Sequence, residues 1–186
     1  MKFVSFKSRG ERGVVEGFLV TGGEVFKFNL GPFLADHDSV ARAKVIAELD
    51  PACPMILGDE QQLRQVIHNL LQNAQDACEV RGQGLANARV QVRTEWRAQR
   101  QRVRLTVTDT GPGFAPHILQ RAFEPYVTTK ATGTGLGLAV VKKIADEHGA
   151  RIDMANVQEG DNIQGAQVSL SFAVAQTAQG LEQPPS

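Results

Sequence analysis

Two hydrophobic periods alternate along this chain. Leu63, Val66, Ile67, Leu70, Leu71, Ala74 and Ala77 fall at helical spacing and form one stripe at about 100° per residue, which predicts an amphipathic helix. Asp59 stands as its N-cap, with Gln62 three residues on in capping-box fashion. Asn69, Asn73 and Asp76 run beside the stripe, so this helix lays amide and carboxylate groups along the rim of the core. The period then changes to two. Val90, Val92, Thr94 and Trp96 alternate with polar residues, and so do Val103, Leu105 and Val107, which predicts two strands. The basic link Arg97–Arg102 between them has no aromatic platform and reads as a solvated hairpin tip. Leu138, Val141, Ala145 and His148 return to the helical period and stop at Gly149, a C′ glycine, with His148 placed to meet the helix dipole. Arg151–Ala155 and Gln167–Val174 predict a last pair of strands.

Upstream, Lys44–Leu49 alternates as a strand that Asp50-Pro51 and Cys53-Pro54 break. Asn29 reads as the N-cap of a helix over 30–42 that carries Leu30, Phe33, Leu34 and Val40. Within 1–28, Val4-Ser5-Phe6 and Val25-Phe26-Lys27-Phe28 read as short strands around a glycine-rich middle. That segment is a leader, an edge hairpin or the remnant of a neighbouring unit. From Gln176 the tail of Gln, Ala, Gly and Pro is expected to be disordered. The division is therefore 1–28, a main domain at 29–175, and a tail at 176–186.

Composition narrows the function. The length of 186 residues suits one domain with a sizeable core. Lys+Arg and Asp+Glu balance at 20 each, so no global field favours nucleic acid or an anionic membrane as partner. No apolar run approaches the roughly 18 residues of a membrane span, and no secretory signal opens the chain. A cytoplasmic domain is expected, whether or not the full-length protein is membrane-anchored. Cys53 and Cys78 make no disulfide framework and read as reduced thiols.

The candidate chemistry lies in the second half. Asp109 ends a predicted strand and enters Asp109-Thr110-Gly111-Pro112-Gly113-Phe114. A dry carboxylate there accepts a hydrogen bond from an exocyclic amine and rejects a carbonyl, so it selects adenine over guanine. Gly111 and Gly113 let the backbone turn tightly and approach a ring. Alone, the motif fits a plain strand-to-loop turn equally well. Gly133, Gly135 and Gly137 precede the next helix, where backbone N–H groups close on phosphate oxygens and the dipole favours negative charge. No Gly-Lys-Ser/Thr follows, so this is not a Walker A loop. The cation is Lys130, while Lys142 and Lys143 read as solvent-facing. Asn73 offers an amide oxygen; magnesium keeps several waters and takes few protein ligands beside phosphates, so one suffices. Alone, Asn73 reads as a rim amide satisfied by backbone.

In this order and spacing the pieces resemble the catalytic and ATP-binding domain of sensor histidine kinases. That superfamily also holds gyrase, heat-shock chaperones and mismatch-repair proteins. Asn69-Leu70-Leu71-Gln72-Asn73-Ala74 resembles its N box, and Asp109–Phe114 its G1 box. Phe123-Glu124-Pro125-Tyr126 with Thr128-Thr129-Lys130 resembles the F box and ATP lid, and Gly133-Thr134-Gly135-Leu136-Gly137-Leu138 the G2 box. The likeness covers Phe28 to Val174. Asn-Ala-x-Asp-Ala and Thr-Thr-Lys are similar to the nitrogen-regulation branch. The resemblance implies an α/β two-layer sandwich of the Bergerat type, a mixed β-sheet with helices on one face. It implies ATP and Mg2+ as cofactors. Asp109 would bind the adenine amine, Asn73 the magnesium, and Asn69 would line the phosphate side. Lys130 would contact phosphate, Gly133, Gly135 and Gly137 would give hinge and cradle, and a lid between Ala115 and Thr134 would order on ATP.

The pattern departs from the family at two points. Asp76 stands where many of these kinases carry a basic residue that touches phosphate. Either Lys130 carries more of the charge or Asp76 points away. No histidine here has the acceptor context of the family: His37-Asp38 comes nearest but continues Ser39-Val40-Ala41. The implied activity is transfer of the γ-phosphoryl group of ATP to a histidine on a dimerisation domain outside this chain. The implied partners are that domain, a cognate response regulator and, in the full-length protein, a second copy. Two other readings stand beside it, an ATP-hydrolysing switch of the gyrase or chaperone kind and a nucleotide-binding module without catalysis. The hydrolysing relatives place a glutamate base where this chain has Asn69, an amide that takes no proton at neutral pH, so slow hydrolysis is expected.

Overall fold

The computed structural model describes residues 4–7, 16–21, 24–29, 43–54, 56, 58–80, 88–128 and 134–174, the first three stretches by backbone alone. Those three are strands β1 (Val4–Lys7), β2 (Glu16–Thr21) and β3 (Glu24–Asn29), paired antiparallel in the order β1-β2-β3. The main sheet contains β4 (Lys44–Glu48), β5 (Arg89–Arg97), β6 (Arg102–Asp109), β7 (Arg151–Glu159) and β8 (Asn162–Ala173). Its order is β4-β5-β6-β8-β7, with β4 parallel to β5 and every other pair antiparallel, so the sheet is mixed.

Alternation decides which face is buried. The register sets Val92 opposite Val107, Val107 opposite Val168, and Val168 opposite Met154. Helices α1 (Glu60–Val80) and α3 (Gly137–Glu147) cover this apolar face, α1 over β5 and β6, α3 over β7, with the two helices packed on each other. Leu63, Val66, Ile67, Leu70, Leu71 and Ala74 of the predicted stripe are buried. Each large side chain among them stabilises by about 1.5–3 kcal/mol against about 1 kcal/mol for a cap, so packing rather than capping holds α1 in place. On the other face Arg104 donates to Ser169 Oγ at 2.7 Å and Arg102 to Ser171 Oγ at 2.9 Å. Burial, with the neighbouring charge of Arg151, holds the Arg102 guanidinium below its ordinary pKa. The result is the expected two-layer α/β sandwich.

Several expectations need correction. Asp59 does cap α1, accepting from Gln62 N–H at 2.9 Å, but no reciprocal capping box forms. The Gln62 side chain donates to Glu147 at 3.0 Å, and the Asp59 N–H goes to His148 Nε2 at 2.8 Å. With Nε2 accepting, the proton sits on Nδ1, which lies 2.8 Å from the Ile144 carbonyl oxygen. His148 thus joins the start of α1 to the end of α3, which closes at Gly149 with paired bonds from Gly149 N and Ala150 N. Ala77 is not buried with its stripe; Cys78 and Gln75 are, and Gln75 Nε2 donates to the Ala43 carbonyl at 2.9 Å. Within 115–134 a helix α2 (Pro116–Arg121) forms, too short to show a period, with proline at its start. β2 was not foreseen, because glycines obscure its pattern, and β7 runs on to Glu159. The helix expected over 30–42 and the tail 176–186 lie outside the described residues.

Candidate nucleotide site

β6 delivers Asp109 into the sheet's end with 8 % of its surface exposed. Its Oδ1 accepts from Gly111 N–H at 2.8 Å and from Ala166 N–H at 3.2 Å. Two backbone donors anchor Oδ1, and charge-assisted bonds of this kind are about twice as strong as neutral ones. Behind it, Thr110 N–H donates to the Arg89 carbonyl at 3.1 Å and Thr110 Oγ1 accepts from Arg89 N–H at 3.0 Å. Gly165 lies alongside: a β-carbon there would stand 1.8 Å from the Asp109 carbonyl oxygen, so no side chain fits. At Gly111 a β-carbon would meet Ala77 of α1 at 2.8 Å, which is where the small residue at the end of the stripe is used. Phe114 packs half-buried against the core.

The second part of the site is the start of α3. A β-carbon at Gly137 would lie 3.5 Å from Asn73 Nδ2 and 3.8 Å from Asn73 Oδ1, so the N-box amide sits beside the first turn of α3. The first N–H groups of a helix have no partner within it, which makes this end receptive to anions. Leu136 N–H turns toward Thr134 Oγ1 at 3.4 Å. Tyr126 N–H donates to the Gly135 carbonyl at 3.0 Å, joining the F box to the G2 box. Tyr126 holds this contact at φ 67, a left-handed conformation rare for a bulky residue, and it is 78 % exposed. Before it, Arg121 and Glu124 pair at 2.7 Å; that hydrogen bond lowers the Glu124 pKa, but an exposed pair adds little stability.

The remaining predicted residues distribute as follows. Asn69 is half-buried one turn before Asn73, Phe123 is half-buried, Thr128 and Leu136 are exposed, and Leu138 packs against the core. Asp76 accepts from Gln72 Nε2 at 2.7 Å, a bond along its own helix. Thr129, Lys130 and Gly133 lie outside the described residues. Lys142 and Lys143 pair with Asp146 and Glu147 one turn on. His68 and His117 are exposed, His148 serves the α1–α3 joint, and His37 is outside the described residues. Sequence reading missed Gly165, Ala166 and Asn156, whose side chain bonds the loop at Phe114. Only Gly165 carried a local signal, an isolated glycine within a strand pattern.

Among the described residues no group of three or more His, Cys, Asp or Glu side chains is placed to hold a metal ion. A single amide oxygen beside a phosphate-receptive helix end suits a hard cation that takes most of its ligands from phosphate and water, which is how magnesium binds.

Comparison with known proteins defines the class. A model of the histidine kinase-, DNA gyrase B-, and HSP90-like ATPase family matches residues 58–176, and the chain belongs to this family. Its relatives are sensor histidine kinases of the nitrogen-regulation kind, as Asn-Ala-Gln-Asp-Ala suggested. A protein of Rickettsia conorii named as an NtrY-like sensor histidine kinase is 37% identical over 75% of this chain and 21% of its own length. The sensory histidine kinase/phosphatase NtrB of Rhodobacter capsulatus is 39% identical over 61% of this chain and 34% of its own length. The chain thus spans about a third or less of these relatives. Among solved structures, full-length ShkA in complex with AMPPNP superposes with a TM-score of 0.59 at 30% identity, covering 78% of this chain and 28% of that one. No helix among the described residues is long and apolar enough to cross a membrane.

Proposed function

We propose that this chain is the ATP-binding kinase domain of a two-component sensor, which binds Mg-ATP and transfers the γ-phosphoryl group to a histidine on a dimerisation domain. The observation that carries this is the pairing of a buried, backbone-held Asp109 with an Asn73 amide set against the start of α3. Asp109 receives the adenine amine, and the loop 109–114 lies along the base. The first N–H groups of α3 receive phosphate oxygens, with Lys130 adding a cation on the resemblance to the family. Asn73 is the residue that would hold magnesium, which would supply positive charge to offset that of the phosphates. Little covalent chemistry is asked of the protein; it positions the γ-phosphoryl group and balances its charge. Asn69, an amide one turn before Asn73, cannot activate water as a base, which favours transfer over hydrolysis. A response regulator is the onward acceptor, and a second copy of the full-length protein completes the assembly.

The test is phosphotransfer from γ-labelled ATP to an added histidine-bearing dimerisation domain of an NtrB-type relative. Label on that domain, with slow steady-state hydrolysis by the chain alone, is the expected outcome. Rapid hydrolysis without the domain would point instead to an ATPase switch. Binding with neither transfer nor hydrolysis would leave a nucleotide-sensing module.

A further inference from the structure

The β7–β8 hairpin lies outside the four boxes, yet one of its rungs touches both ends of the Asp109–Phe114 loop. Asn156 on β7 is the cross-strand partner of Ala166 on β8. Ala166 N–H donates to Asp109 Oδ1 at 3.2 Å, at the start of the loop. At its other end, Asn156 Oδ1 accepts from Phe114 N–H at 2.7 Å and Asn156 Nδ2 donates to the Phe114 carbonyl oxygen at 2.9 Å. The amide therefore meets both polar backbone atoms of one residue, as a neighbouring strand would. Only this orientation of the amide fits, because Phe114 N–H needs an acceptor and its carbonyl a donor.

The loop between these two ties has little freedom left. Gly113 stands at φ 79, and a β-carbon there would lie 2.9 Å from Asn156 Oδ1 and 2.5 Å from Ile163 Cγ2 of β8. On its other flank Gly111 fits against Ala77 of α1. The backbone that must approach a base is thus held between the helix and the hairpin rung.

We infer that Asn156 is a positioning residue for base recognition: it fixes the far end of the loop that carries Asp109, and so sets affinity and selectivity for adenine. This rests on the ATP-site reading above. Asn156 acts on the loop backbone rather than on phosphate. Its loss should therefore change discrimination between bases and leave magnesium dependence alone.

The experiment measures ATP and GTP binding by calorimetry, with and without Mg2+, for the wild-type chain, Asn156→Leu and Asn156→Asp, with melting curves for each. Leu keeps the number and branching of side-chain heavy atoms and removes both bonds. Asp keeps the acceptor for Phe114 N–H and sets a carboxylate against the Phe114 carbonyl. Asn156→Leu should weaken ATP binding about tenfold and lower the ATP-to-GTP preference, with the magnesium dependence unchanged. Asn156→Asp should fall between it and wild type. Wild-type affinity and preference in a folded Asn156→Leu would overturn the role, and so would a lowered melting temperature with binding unchanged. If Asn156→Leu fails to fold, Asn156→Asp decides alone: wild-type preference in it overturns the role. If the wild-type chain binds ATP with no preference over GTP, the base-site reading falls, and the inference falls with it.

Discussion

The two ends of the proposed nucleotide site are built differently. At the base end the carboxylate of Asp109 is 8 % exposed and held by two backbone donors, and the loop closes on Asn156 through two more bonds. At the proposed phosphate end a backbone bond joins the strained, 78 % exposed Tyr126 to Gly135. Bonds that already exist before the ligand arrives cost nothing to organise on binding, so the base end is suited to selection. The first N–H groups of α3 have no partner within the helix, so order at the proposed phosphate end is suited to reporting occupancy.

The largest expected effect is at the base end. Asp109→Asn keeps an oxygen for Gly111 and Ala166 but turns an N–H2 toward the adenine amine, donor against donor. A hydrogen bond to a charged group contributes about 1.5–3 kcal/mol, so ATP binding should weaken about 10- to 100-fold and adenine selectivity should vanish. Near wild-type affinity in calorimetry would remove Asp109 from the site. At the phosphate end, Asn73→Ala should weaken Mg-ATP about tenfold and abolish the magnesium dependence while preserving the preference for ATP over GTP. Persistent magnesium dependence would mean that another group holds the metal.

The smallest effect concerns Cys78, whose Sγ lies 3.7 Å from the Arg89 carbonyl behind the base end. Burial raises its pKa above the ordinary 9.0, and the charge of Asp109 adds to the rise while bonds from Thr110 and Arg89 oppose it. The folded thiol holds its proton more tightly than the unfolded one. Its contribution to stability is therefore complete below pH 9.0 and is lost as pH rises through the folded value. At pH 8, alkylation of Cys78 should be slow and indifferent to ATP. A clear ATP effect would show that the base end rearranges after all.

This contrast also explains what the sequence disclosed. Asp109, Gly111, Asn73 and Gly137 stand in short local motifs whose chemistry was implied by their joint resemblance to the kinase family, and the helix stripe and alternating strands carried the fold. The supports of the base end act across long separations: Asn156 bonds a residue 42 positions away and Ala166 one 57 away. Ala166 acts through its backbone N–H, which leaves no mark in residue identity. His148 was read as serving its own helix, yet its partner Asp59 lies 89 positions distant and competes with the expected capping box. α2 is shorter than two helical turns and has no period to detect. What escaped the sequence is the set of contacts that hold the motifs still, rather than the motifs themselves.

Hydrogen exchange of the chain with and without a non-hydrolysable ATP analogue tests the central claim most directly. Backbone amides of 109–114 should be protected already and change little, while amides between Ala115 and Thr134 gain protection on binding. A large gain at 109–114, or no gain across 115–134, would contradict the account of a fixed base end and a closing phosphate end.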